Sequence, residues 1–180
     1  TNRLIEIFGI CVLIMGVLIF IALISYSPED PNFIFPENTI IKNVLGYQGS
    51  VTADFIFQSV GLIGYLLPIT YIFTGLNIFR KKEILVVIEN TFLIIIYALF
   101  GSLFFSKFYS ENFSLYINGS GGFVGNYLSE NFLINLLSRY EDFSYYLLIL
   151  FILFFFILSI NLNLKNFLLS VKKITNFLLK

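Results

Sequence analysis

The chain has no histidine and no tryptophan, a single cysteine, and charge at only 12% of its 180 positions. Without histidine there is no imidazole general base near neutral pH, no haem or copper ligand of the usual kind, and no Ser-His-Asp triad. The lone thiol, Cys11, lies inside an apolar run and can form no internal disulfide, so it reads as a small buried hydrophobe. Basic and acidic residues balance at 11 each, and no global basicity points to nucleic acid. Soluble domains carry charge at about a quarter of their positions. With 58% hydrophobic residues and a mean hydropathy of +0.89, this chain is instead an integral membrane protein.

What is present is four long apolar stretches. The first, residues 4 to 25, would cover roughly 33 Å as a helix, enough for the hydrocarbon layer. A cleavable signal peptide fits poorly there, because the apolar run is too long and no small-x-small site precedes the polar turn. Further spans are expected at about 53–79, 84–105 and 145–162, followed by a basic juxtamembrane tail at 164–180. Gly9 and Gly16 share a face of the first span and would admit another helix, as would Gly61 and Gly64 in the second. Pro68 is expected to kink the second span near mid-membrane. No internal repeat and no linker divides the chain, so residues 1–180 form a single all-α membrane domain.

The polar residues near these spans each have a bland and a sharp reading. Asp54 lies at the mouth of the second span, where a carboxylate would cap free backbone amides; a proton or cation site is the alternative. Glu89 would snorkel toward the basic Arg80-Lys81-Lys82 loop or face Lys82, and Asn90 would reach a neighbouring helix. The second long loop carries Gly119-Ser120-Gly121-Gly122-Phe123-Val124-Gly125. It fails as a phosphate loop, because valine stands where the dinucleotide pattern needs glycine and Asn126-Tyr127 where a P-loop needs Lys-Ser/Thr. Apolar positions Tyr127, Leu128, Phe132, Leu133, Leu136 and Leu137 then follow helical spacing, which predicts a short amphipathic helix at the membrane surface.

Lysine and arginine set the topology. If both termini and the 80–83 loop share one side, that side holds Arg3, Arg80, Lys81, Lys82, Lys165, Lys172, Lys173 and Lys180, against Lys42, Lys107 and Arg139 opposite. The positive-inside rule then places both termini in the cytoplasm and two loops outside.

Between the first two spans the chain reads Ser25-Tyr26-Ser27-Pro28-Glu29-Asp30-Pro31-Asn32-Phe33, a punctuated turn in which two prolines forbid a continuing helix. Asn43, Gly46, Gly49, Ala53-Asp54, Gly61 and Pro68 follow, and later Gly121, Gly122 and Gly125. In this order and spacing they resemble the amino-terminal four-helix membrane domain of FtsK/SpoIIIE-type DNA translocases, over roughly residues 4 to 165. Ser50 stands where that family often has alanine, and Phe33 where it commonly has tryptophan.

The resemblance implies a bacterial inner-membrane protein at the division septum, in which this domain anchors and oligomerises the protein while a cytoplasmic hexameric ATPase pumps DNA. No Gly-x-x-x-x-Gly-Lys-Ser/Thr occurs, so no motor domain, catalytic residue, cofactor or metal site is expected here. Starting at Thr1 and ending at Lys180 after the last span, the chain reads as an excised domain. The expected partners are membrane lipid, further copies of the chain and other division proteins, without direct nucleic-acid contact. Two other readings stand beside this one. In a small oligomeric channel or transporter subunit, Asp54, Gln58, Pro68 and Glu89 would line a path. An integral-membrane enzyme is disfavoured by the absent histidine and metal ligands.

Overall fold

The computed structural model describes residues 2–32, 40–110, 118–131 and 140–161, and among these all regular structure is helical. The elements are α1 (Asn2–Ile24), α2 (Gly46–Val60), a 3-10 segment (Gly61–Tyr65), α3 (Leu66–Lys81), α4 (Val86–Phe108), α5 (Gly122–Asn131) and α6 (Glu141–Ile160). The helices Asn2–Ile24, Val86–Phe108 and Glu141–Ile160, together with the Gly46–Lys81 stretch, are long and apolar enough to cross a membrane. The chain is a multi-pass membrane protein. On α1, Leu4, Ile7, Phe8, Ile10, Ile14, Leu18 and Phe20 all remain exposed. A helix that is apolar all round suits lipid as its solvent.

α1 and α3 form an antiparallel pair brought close by glycines. A Cβ on Gly75 would lie 2.6 Å from Gly9 O and 2.5 Å from Leu13 N, and one on Gly16 would lie 2.8 Å from Ile72 N. At one end of this pair Lys82 Nζ meets Glu6 Oε1 at 2.9 Å. At the other end Ala22 and Leu23 pack on Ala53 and Phe57 of α2. Gly9 and Gly16 thus serve the helix approach their spacing suggests, inside one chain.

α6 packs along α4 through rings: Phe100 to Phe151 at 5.1 Å, Phe104 to Tyr145 at 5.2 Å and Tyr97 to Phe156 at 5.8 Å between centroids. Ile63, Ile94, Tyr97, Leu103, Phe104, Leu148 and Ile152 form the largest core cluster. Buried polar groups cross-link the same helices. Thr70 Oγ1 is 3.1 Å from Tyr97 OH and 3.0 Å from Ser159 Oγ, and Asn90 Nδ2 donates to Thr74 Oγ1 at 2.7 Å. Among the described residues no buried side-chain nitrogen or oxygen lacks a partner.

Several expectations change. The second span is not one helix from residue 53. As a straight helix its 36 residues would measure about 54 Å, well beyond the hydrocarbon layer of about 30 Å. It breaks at Gly61, where φ is +72°. The 3-10 segment and α3 together give about 34 Å, the crossing length, while α2 packs across the end of α1. Pro68 is therefore not the kink. It occupies the first turn of α3, where the missing amide costs no helical bond. Asp54 is no cap either, since α2 starts at Gly46 and Asp54 is buried inside it. Cys11 faces outward rather than into the core. Glu89 is exposed, and Lys82 pairs with Glu6 instead. The fourth helix begins at Glu141, earlier than residue 145. Phe33, Phe132, Leu133, Leu136, Leu137 and the 164–180 tail lie outside the described residues.

Candidate functional site

The end of the bundle that carries both long loops holds the punctuated turn, Asp54, Gln58, Gly61 and the glycine run at 119–125. Each loop is fixed there by its own device.

The first loop closes on a carboxylate. After α1, Ser27-Pro28-Glu29-Asp30 forms a turn with Asp30 N donating to Ser27 O at 3.1 Å and proline at its second position, the place its fixed φ suits. This delivers Asp30 to a buried position, where its two oxygens accept the Lys42 and Asn43 amides, each at 2.8 Å. Asn43 in turn donates Nδ2 to Ala22 O at 2.8 Å and accepts from Leu45 N at 3.1 Å. Ser25 Oγ donates to Ile21 O at 2.7 Å and accepts from Val44 N at 3.2 Å. Ser50 Oγ donates to Pro31 O at 2.7 Å. Gly46 opens α2 with φ +66°, and a Cβ on Gly49 would overlap Asn43 Oδ1.

Tyr26 completes this corner. Its ring packs on Phe57 at 4.9 Å and its hydroxyl donates to Asp54 Oδ1 at 3.2 Å. On the exposed rim, Glu29 and Lys42 form an ion pair. The lysine's hydrogen bond and charge hold the Glu29 carboxyl below its ordinary range, and the same contact raises Lys42 above its own.

The second loop closes on the helix break. Leu62 N donates to Ser120 O at 2.8 Å, and Asn118 Nδ2 reaches Gln58 O at 3.3 Å and Gln58 Oε1 at 3.1 Å. Ser120 Oγ donates to Phe105 O at 3.0 Å and Tyr109 O at 2.6 Å, which ties the loop to α4. Ser102 Oγ donates to Val60 O at 2.8 Å. Backbone lies against backbone here: a Cβ on Gly61 would stand 2.0 Å from Ser120 O, and one on Gly122 (φ +65°) 2.6 Å from Gly61 N. Gly121 and Gly125 let α5 approach α4 at Ser102 and Ser106 in the same way. The glycine run that fails as a phosphate loop is a packing surface for a helix break.

The structure does not bring Asp54, Gln58, Pro68 and Glu89 to a common path. Asp54 faces Tyr26, Gln58 faces Asn118, Pro68 lies under Gly16, and Glu89 points outward. No group of three or more histidine, cysteine, aspartate or glutamate residues that could hold a metal occurs among the described residues. Gly61 meets the second loop rather than another long helix, and Gly64 faces Ile56. Sequence reasoning missed Ser102, Asn118, Ser120 and Gly75. The Asn118-Gly119-Ser120 triplet was the available signal, since such residues make turns.

A broken second span, two loops bonded to one end and a glycine-spaced helix pair define a four-span helical membrane domain. Residues 1–172 match the family described as the 4TM region of DNA translocase FtsK/SpoIIIE, and the chain belongs to that family. It is 26% identical over 155 residues to the DNA translocase FtsK of Rickettsia typhi, covering 86% of this chain and 21% of that protein. To the Rickettsia prowazekii FtsK it is 27% identical over 167 residues, covering 91% of this chain and 21% of the relative. A shorter match, 36% over 78 residues, covers 41% of this chain and 8% of the Vibrio vulnificus FtsK. The chain thus spans about a fifth of the length of the two rickettsial relatives. No solved structure matches.

Proposed function

We propose that this chain is the membrane anchor and division-site scaffold of a DNA translocase. In this reading both termini lie in the cytoplasm and the two loops face outward. The observation that carries it is the division of labour within the bundle. Polar side chains buried among the spans are paired with one another or with backbone, whereas the outward faces of α1, α4 and α6 are apolar and suit lipid or further copies of the chain. That arrangement holds a protein in a bilayer and leaves its loop end as the surface for division partners. Charge supports the orientation, since Arg80, Lys81 and Lys82 sit at the end opposite the loops. With no Gly-x-x-x-x-Gly-Lys-Ser/Thr sequence, ATP hydrolysis and DNA movement are assigned to no residue here.

The test is localisation. A fluorescent protein fused to residues 1–180, expressed in dividing bacteria depleted of their own translocase, is expected to mark the septum. Even labelling of the whole membrane would overturn the division-site role. Liposomes containing the purified chain are expected to show no ion flux above empty liposomes. A flux abolished by Asp54→Asn would establish a channel instead.

A further inference from the structure

The break in the second span is held by the second loop through the very backbone groups that a continuous helix would use. In an uninterrupted α-helix the Leu62 amide donates to the Gln58 carbonyl four residues back. Both members of that pair are taken by the same loop: Leu62 N donates to Ser120 O at 2.8 Å and Gln58 O accepts from Asn118 Nδ2 at 3.3 Å. One residue before the break, the Val60 carbonyl accepts from Ser102 Oγ. Helix hydrogen bonding is intact up to this point, because Gly61 N still donates to Phe57 O.

The resulting bend is sharp. The rings of Phe57 and Tyr65 are 5.0 Å apart, although eight residues of continuous helix would separate them by about 12 Å along the axis. Gly61 is the hinge, at φ +72° and ψ −149°, a conformation that glycine adopts without a Cβ penalty. Glycine also accepts helical angles, so residues 58–62 can close once the loop leaves. Pro68 opposes a straight helix at Gly64, and the closed form would carry an ordinary proline kink there.

We propose that the loop segment Asn118–Gly125 is a latch on a two-state element. With the latch seated, the span is bent at Gly61. When the latch is drawn away, Leu62 N and Gln58 O pair with each other, and α2 continues through the 3-10 segment toward α3. A partner that engages the second loop thereby changes the shape of a membrane span, and the Leu62 amide and the Gln58 carbonyl are each bonded in both states.

The experiment uses the full chain in lipid nanodiscs, with Cys11→Ser as background and spin labels on cysteines replacing Phe55 and Phe79, both exposed and on opposite sides of the break. With the native loop the distance is expected to fall well short of the roughly 36 Å that 24 residues of continuous helix would give. Asn118→Ala with Ser120→Ala, which removes the contacts fixing the loop, is expected to lengthen it toward that value. Gly122→Leu, which drives a side chain into Gly61, should do the same without deleting a bonding group. Unchanged distances in these variants at native helix content would overturn the latch. Should the loop variants aggregate, Gly61→Ala with the loop intact decides. Alanine resists the left-handed conformation and favours the closed helix, so a retained short distance would overturn the proposal.

Discussion

The Tyr26 hydroxyl donates to Asp54 Oδ1 at 3.2 Å, joining the turn after α1 to the middle of α2 across 28 residues of chain. Asp54 is only 7% exposed, so its carboxylate has exchanged most of its water for this corner. The corner holds α2 across the end of α1, because Ala22, Leu23, Ala53 and Phe57 pack there as one cluster.

Tyr26→Phe keeps the ring against Phe57 but removes the donor. A buried acceptor left short of a partner costs about 1–3 kcal/mol, and that loss is the expected outcome in equilibrium unfolding in detergent. Asp54→Asn retains an oxygen acceptor and is expected to cost less than Tyr26→Phe. A double-mutant cycle of Tyr26→Phe with Asp54→Ala, which removes the acceptor, reads the coupling directly. A coupling near zero would mean that ring packing alone holds the corner.

Gly75→Leu tests the pairing of α1 with α3. A Cβ alone would already lie 2.6 Å from Gly9 O, so the added bulk meets backbone, which cannot rotate away. Overpacking of a close interface costs about 1–3 kcal/mol, and here the helices must separate along their length, so the upper end of that range or more is expected. The check is thermal stability, with cross-linking between cysteines placed on α1 and α3. An unperturbed cross-link would contradict the close approach.

The first loop gives a pH prediction. Glu29 is held below its ordinary pKa and Lys42 above its own, each by the other. The stability Glu29 contributes is present above its unfolded pKa and is lost as pH falls through the lowered folded value. The Lys42 contribution is present below its unfolded pKa and is lost as pH rises through the raised folded value. Between about pH 6 and 9 both are fully charged and the pair adds a flat term. Lys42→Gln should therefore leave the shape of the stability profile unchanged across that window and alter it only at the acid and alkaline ends. Asp30→Ala should act differently. That carboxylate is buried and accepts two backbone amides, and bonds to a charged group are worth about 1.5–3 kcal/mol each. Asp30→Ala is expected to loosen the first loop, visible as faster amide exchange at Lys42 and Asn43.

Hydropathy and charge carry little information about how the second span is used, and here sequence and structure part. Four apolar runs place four membrane helices because an 18-residue apolar window has few other stable homes. The same window slides over Val60-Gly61-Leu62 without a signal, since the break depends on a loop about 60 residues away in the chain. Asp54 misled for a related reason. The polar sequence before it resembles a loop, yet Gly46 through Thr52 are helical because α2 packs across the end of α1. The turn at Pro28 was legible, since proline acts locally, but the burial of Asp30 was not, because the amides it accepts come from Lys42 and Asn43. Asn118 and Ser120 were not, because their partners are backbone carbonyls and amides that no residue pattern reports.

The buried hydroxyl cluster sets a limit on how much polar contacts among the spans contribute. Thr70 Oγ1 meets Tyr97 OH and Ser159 Oγ, linking α3, α4 and α6 at one level. Polar contacts between membrane helices average about 0.6 kcal/mol and reach about 1.7 kcal/mol, because side chains in the separated helices find other partners. Ser159 Oγ already donates to Phe156 O at 2.7 Å within its own helix, so it keeps a bond when Thr70 is removed. Tyr97 is wholly buried, and its hydroxyl lies 3.1 Å from Thr70 Oγ1. Thr70→Val is therefore expected to cost about 1–2 kcal/mol, most of it through Tyr97. Ser159→Ala is expected to fall near the average. Both should be smaller than Gly75→Leu when all three are measured by unfolding in the same detergent. If Thr70→Val proves the most damaging of the three, the bundle is held by its polar cluster and the close packing of α1 on α3 is secondary.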